Sequence, residues 1–192
     1  GNTDAFYNVF SNYKNPEIIR ATAIEAYSNN PLSSEQVHTL LKYLNDSSAL
    51  VKNEVIKALD KLQQVNFSEN IKPLLLDSVR LVRISAARYF NMRNITIDEN
   101  ALYKKTENEY LEYLDANADF ASGQHQIALQ LMAKGNSKAA VEAYKKAIAI
   151  DDHFNLSRLN LALLEYNRGN IVYAEELYLK VTKQEPDYSY PY

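Results

Sequence analysis

The sequence predicts an all-α protein, a right-handed α-solenoid (alpha-alpha superhelix) in which antiparallel helix pairs stack on one another. Three observations predict it. Apolar residues recur at three- and four-residue spacing rather than in alternation, and only four glycines interrupt 192 residues. One segment recurs three times in the first half of the chain. A different segment recurs at a spacing of 34 residues in the second half.

The first period is carried by Asp46-Ser-Ser-Ala-Leu-Val-Lys-Asn-Glu-Val-Ile-Lys-Ala-Leu59, which aligns with residues 77–90, 31 positions later. An earlier copy begins at Asn15-Pro16, and its Arg20 precedes Lys52 by 32 positions. Each copy opens on Asn or Asp, whose side-chain oxygen suits the orphan amides of a helix start, and Pro16 suits a first helical turn. The segments 33–44 and 68–77 read as the partner helices of each pair, with Pro73 marking a first turn.

This half resembles HEAT repeats, through Asp46, Val51 and Lys52 and again through Asp77, Val82 and Arg83, although the copies are shorter than the commonest HEAT length. The basic ladder at 20, 52 and 83 has two readings. It faces a ligand, or it bonds neighbouring acids and carbonyls between copies.

In the second period, Gly135-Asn-Ser-Lys-Ala-Ala140-Val-Glu-Ala-Tyr144 aligns with Gly169-Asn-Ile-Val-Tyr-Ala174-Glu-Glu-Leu-Tyr178. Glycine permits the tight turn between two helices, alanine lets helices approach closely, and tyrosine fills the space between repeats. Over about residues 119–188 the chain resembles tetratricopeptide (TPR) repeats, with Ala128 and Ala162 at the small position of the first helix. It departs from the family pattern at Gln124 and Arg158, where a bulky aromatic often stands.

The same spacing links Phe120, Phe154 and Tyr188, and also Tyr110, Tyr144 and Tyr178. A helix from about Asp98 to Leu114 is therefore expected to join the two periods as half of a degenerate TPR. The expected organisation is HEAT-like repeats over 1–97, a splice helix in 98–118, then two TPR repeats and the start of a truncated third over 119–192. Gly1 and the segment from Tyr188 to Tyr192 both interrupt a pattern, so a piece of a longer chain is expected, with a sticky, uncapped C-terminal end open to self-association.

Charge excludes one class of partner. Lys and Arg number 21 against 24 Asp and Glu, with no long single-sign run, so no nucleic-acid footprint is expected. No apolar stretch approaches the roughly 18 residues of a spanning helix, so no membrane insertion is expected either, and no signal-peptide pattern opens the chain. Cysteine is absent, which removes disulfides, thiolate metal sites and a cysteine nucleophile.

His38, His125 and His153 lack the spacing of metal ligands, and Asp151-Asp152 suits an inter-repeat turn better than a catalytic pair. No nucleophile elbow, Walker loop or dinucleotide turn occurs. Neither catalytic residues nor a metal or cofactor is expected. Sequons at Asn66 and Asn94 are no more than an asparagine-rich chain yields by chance.

The function expected is a non-catalytic protein-protein interaction scaffold. If the TPR half binds as its family does, the groove lies on the first helices, at Ser122, His125, Leu129 and Met132, then Leu159, Leu163 and Tyr166. That groove is mostly apolar and suits a protein or peptide, without the cationic clamp for a terminal carboxylate. Equally, Leu159, Leu163 and Tyr166 are positions that a further repeat would cover.

The order of parts also resembles the C-terminal region of bacterial multihaem cytochrome c proteins, through residues 74–88 and the Asn117-Ala-Asp junction. That resemblance implies an extracytoplasmic, periplasmic parent with its haem domain upstream and this segment as a structural or docking arm. No Cys-x-x-Cys-His motif occurs here to attach that haem.

Overall fold

A computed structural model describes residues 2–97 and 101–186 of the chain. Among the described residues there are eleven α-helices and no strand, so the chain is all-α. It divides into two compact units after Tyr110, within the helix α7 (Ala101–Ala116). A helix thus runs over Ala101–Ala116 where one from about Asp98 to Leu114 is expected, and Asp98, Glu99 and Asn100 lie outside the described residues.

In the first unit, α1 (Asn2–Phe10) packs on α2 (Glu17–Ser28), α2 on α4 (Ala49–Lys61) and α4 on α6 (Arg80–Met92). Helix α3 (Ser34–Lys42) continues into a 3-10 turn, Tyr43–Asn45, and lies against α4. Its start carries a capping box, in which the Gln36 amide donates to Ser33 Oγ and the Ser33 amide donates to Gln36 Oε1. The second partner segment is not a full helix. It is a single turn, α5 (Ser68–Ile71), followed by the 3-10 stretch Lys72–Leu76. Pro73 explains the difference, because its ring lacks the amide an α-helix needs and collides with the carbonyl four residues back.

The acids that open the second and third copies stand two residues before the cap. Asp46 Oδ1 accepts the amide of Ser48, and it is Ser48 that caps α4 by accepting from Val51. Asp77 Oδ1 accepts from Val79 in the same manner, and Pro16 takes the cap position of α2 rather than its first turn. Their carboxylates are free to serve a second partner. Arg20 meets Asp46 at 2.5 Å, Lys52 meets Asp77, and Arg83 meets both oxygens of Glu109 on α7 at 2.8 and 2.9 Å. The basic ladder therefore bonds the first two copies to the acid of the next and the third to α7, and does not face an open ligand.

In the second unit, α8 (Ala121–Ala133) pairs with α9 (Ser137–Ile150), and α10 (Asn155–Asn167) pairs with α11 (Ile171–Gln184). Gly135 and Gly169 have positive φ, 75° and 85°, and each ends its helix in the same way. The amide two positions past the cap reaches back five residues, Asn136 to Leu131 and Asn170 to Glu165. Ala128, Ala140, Ala162 and Ala174 are all buried, so the helices approach closely where the repeat pattern puts small residues.

The spacing of 34 residues is visible in atoms as well. Gln124 Nε2 donates to the Ala118 carbonyl at 2.7 Å, and Arg158 Nη2 donates to the Asp152 carbonyl at 2.7 Å. Both copies use a long polar side chain to tie the helix start to the preceding turn. Gly123 sits beside the same turn, and a Cβ there would lie 1.7 Å from the Asn117 carbonyl oxygen. Gly123→Ala gains about 1 kcal/mol of helix propensity but forces that turn aside at an overpacking cost of up to about 3 kcal/mol. We expect a net loss of about 2 kcal/mol in a urea titration; a stabilised variant would show that α8 does not start against this turn.

Candidate functional site

The seven groove positions separate into three groups. Ser122 and Met132 on α8 and Leu163 and Tyr166 on α10 are exposed, and Leu129 and Leu159 are half-buried. His125 is only 8 % exposed and is taken up by the interior. It is therefore not open to a partner in this structure.

The surroundings of His125 are specific. Nδ1 shares a hydrogen bond of 2.9 Å with Oγ of Ser157 on α10, and the ring packs against Tyr144 on α9 and against the edge of Phe154. Burial pushes its pKa down from the ordinary histidine value, because a charged imidazolium loses its hydration there. Burial likewise raises the Tyr144 phenol, partly offset by a hydrogen bond from Asn160 at 3.5 Å.

Tyr166 does find company, on the outer side of the last helix pair. With Ile171, Ala174, Tyr178 and Leu179 it lines an open groove of about 320 Å³, to which Glu175 and Thr182 also contribute. The residues from α11 were not among the sequence candidates. The signal that could have found them was present, since Tyr178 repeats Tyr144 and Ala174 repeats Ala140. Tyr144 is 2 % exposed under α10, whereas Tyr178 is 38 % exposed. Equivalent residues thus form a covered seat in one copy and an open one in the next.

The Asp151-Asp152 pair is engaged in the turn before α10. Asp151 accepts the His153 amide at 2.9 Å. Asp152 meets Lys180 at 3.0 Å and Arg158 at 2.8 Å, and the Lys180 contact holds its carboxyl below the usual range. Arg158, 2 % exposed, also donates to Asn155 and Gln184, which ties α10 to the end of α11. These groups serve the joint between helices.

Among the described residues no three His, Cys, Asp or Glu side chains gather as metal ligands would, and no helix is long and apolar enough to cross a membrane. What the second unit offers to solvent is apolar surface: Leu163, Tyr166, Ile171, Val172 and Leu179 are each about half exposed or more. No family model matches this chain, and no curated protein matches it.

Proposed function

We propose that the chain is a non-catalytic protein-protein interaction scaffold, each unit a short run of right-handed α-solenoid, HEAT-like in the first and TPR in the second. The observation that carries this reading is the open seat on α10 and α11. Ala174 and Tyr178 in it repeat, 34 positions later, Ala140 and Tyr144, which share a core cluster with α10, and an apolar surface of this kind is the usual mark of a binding face.

A helix is the occupant that fits. The covered copy shows the chemistry, with Leu161 and Ala162 of α10 in the same core cluster as Ala140 and Tyr144. A partner helix would present a leucine-alanine ridge in the same way, and its specificity would come from the groove's shape more than from charge.

The test is a pull-down with the immobilised protein, beside a variant carrying Leu163→Ser, Tyr166→Ser and Leu179→Ser. These three side chains are about half exposed, so the fold is expected to survive. Capture of a defined protein that the variant loses supports the scaffold. Equal capture by both would move the binding face elsewhere, and recovery of nothing beyond a domain of the same polypeptide would favour a structural arm. Sedimentation of the protein alone separates self-association through this face from binding of a different chain.

A further inference from the structure

The buried histidine has no part in the proposed binding face. We infer that the contact between His125 and Ser157 is an acid-sensitive latch, which holds α10 on α8 while the imidazole is neutral and loosens when it is protonated.

The geometry makes the neutral ring fit and the charged ring misfit. A neutral imidazole needs one donor and one acceptor satisfied, and Ser157, itself fully buried, meets Nδ1 at 2.9 Å. The ring also packs against Tyr144 and Phe154. Protonation adds a second N–H donor and a full charge, and a buried charge without a counter-ion is costly.

Among the described residues no acid is paired with His125. Helix α8 contains no Asp, Glu, Lys or Arg, so His125 is its one group that titrates near neutrality. From α9 the titratable group in contact is Tyr144, neutral at these pH values. From α10 and its preceding turn, the titratable neighbours of Ser157 and Phe154 in the chain are Arg158, the exposed His153, and Asp151 and Asp152; Asp152 pairs with Arg158 at 2.8 Å and with Lys180 at 3.0 Å, and Asp151 accepts the His153 amide. Further along α10, Glu165 pairs with Arg168. Burial is the cause that lowers the histidine's pKa, with no charged neighbour contributing.

The sign follows from this. A histidine with a folded pKa below the unfolded value of about 6.5 contributes stability that is fully present above pH 6.5 and declines as the pH falls below it. Each unit of separation between the two values changes the opening equilibrium about tenfold. Leu129 and Leu159 are half-buried on the two helices that the latch holds. Release therefore alters the apolar surface the second unit presents.

The experiment is backbone amide exchange of the whole chain at pH 7.5 and pH 5.0, corrected for intrinsic exchange rates, on the wild type and on His125→Asn. Because asparagine gives up the ring contacts, a second variant, His125→Gln, guards against a fold that is merely weakened. The expected result is faster exchange in α8 and α10 at pH 5.0 in the wild type, with either variant showing the same protection at both values. His38→Asn and His153→Asn, at exposed positions, are expected to keep the wild-type response. Acid-dependent exchange that persists in both His125 variants, or its absence from the wild type, would overturn the latch.

Discussion

Asp46→Ala is expected to destabilise the first unit by about 3–5 kcal/mol, since it leaves the buried guanidinium of Arg20 without its counter-charge. The side chains are 4 % and 0 % exposed, and the bond is two-pronged, with Nη1 at 3.2 Å and Nη2 at 2.5 Å. Arg20 would retain the Phe10 carbonyl and the face of Tyr13, neither of which carries a charge. Asp46 also loses its hold on the Ser48 amide, so the start of α4 suffers as well.

Equilibrium urea unfolding measures the loss. The exposed pair Glu142 and Lys145 gives the scale, because Glu142→Ala should change stability by no more than about 0.5 kcal/mol. A change for Asp46→Ala as small as that would mean the pair is hydrated in solution. The pH dependence has a definite sign. Burial alone would raise the Asp46 pKa, but hydrogen bonds from Arg20 and the Ser48 amide outweigh it and hold the carboxyl below its usual value. The pair's contribution is thus complete above the ordinary carboxylate range and is lost only as the pH falls through the lowered value, below the window in which His125 acts.

The second large effect is expected from Tyr144→Ala, at about 3–5 kcal/mol, because truncating a buried aromatic loses its transfer energy and leaves a cavity. The ring is packed among Ala140, Leu161 and Ala162 and touches His125. Tyr178→Ala at the repeated position should cost less than half as much, since that ring is already partly in water. Comparing the two midpoints in one urea series checks the assignment. Equal losses would mean that Tyr178 is covered in solution, and with it the groove on α11.

Much of this was legible in the sequence because repetition makes each residue testify twice. Gly135 and Gly169 marked the helix ends, and the alanines at 128, 140, 162 and 174 marked close approach; all occupy those roles in the structure. The basic ladder was legible as a pattern, but its direction was not. Only the fold brings Lys52 to the acid 25 positions later. Pro73 shows another limit, for the periodicity of 68–77 suits a helix while one missing amide turns most of it into a 3-10 stretch.

The candidate groove was less legible. His125 stands at helical spacing with Leu129 and Met132, so the pattern groups them on one face. It cannot reveal that Ser157 supplies a partner across the next repeat, a fact of packing between segments 32 positions apart. The residues of α11 were missed for the converse reason. A tyrosine at a core position of a repeat looks buried, and its exposure depends on whether another helix lies over it.

The ion-pair ladder of the first unit has a consequence for how that unit comes apart. Two rungs join neighbouring copies and the third joins the last copy to α7, so a copy that peels away strands a charge in the body of the one it leaves. Fraying, the ordinary weakness of stacked repeats that touch only their neighbours, is thereby penalised at every internal step. The unit should lose its structure in a single event instead of shedding copies from one end, with nearly uniform exchange protection along α2, α4 and α6.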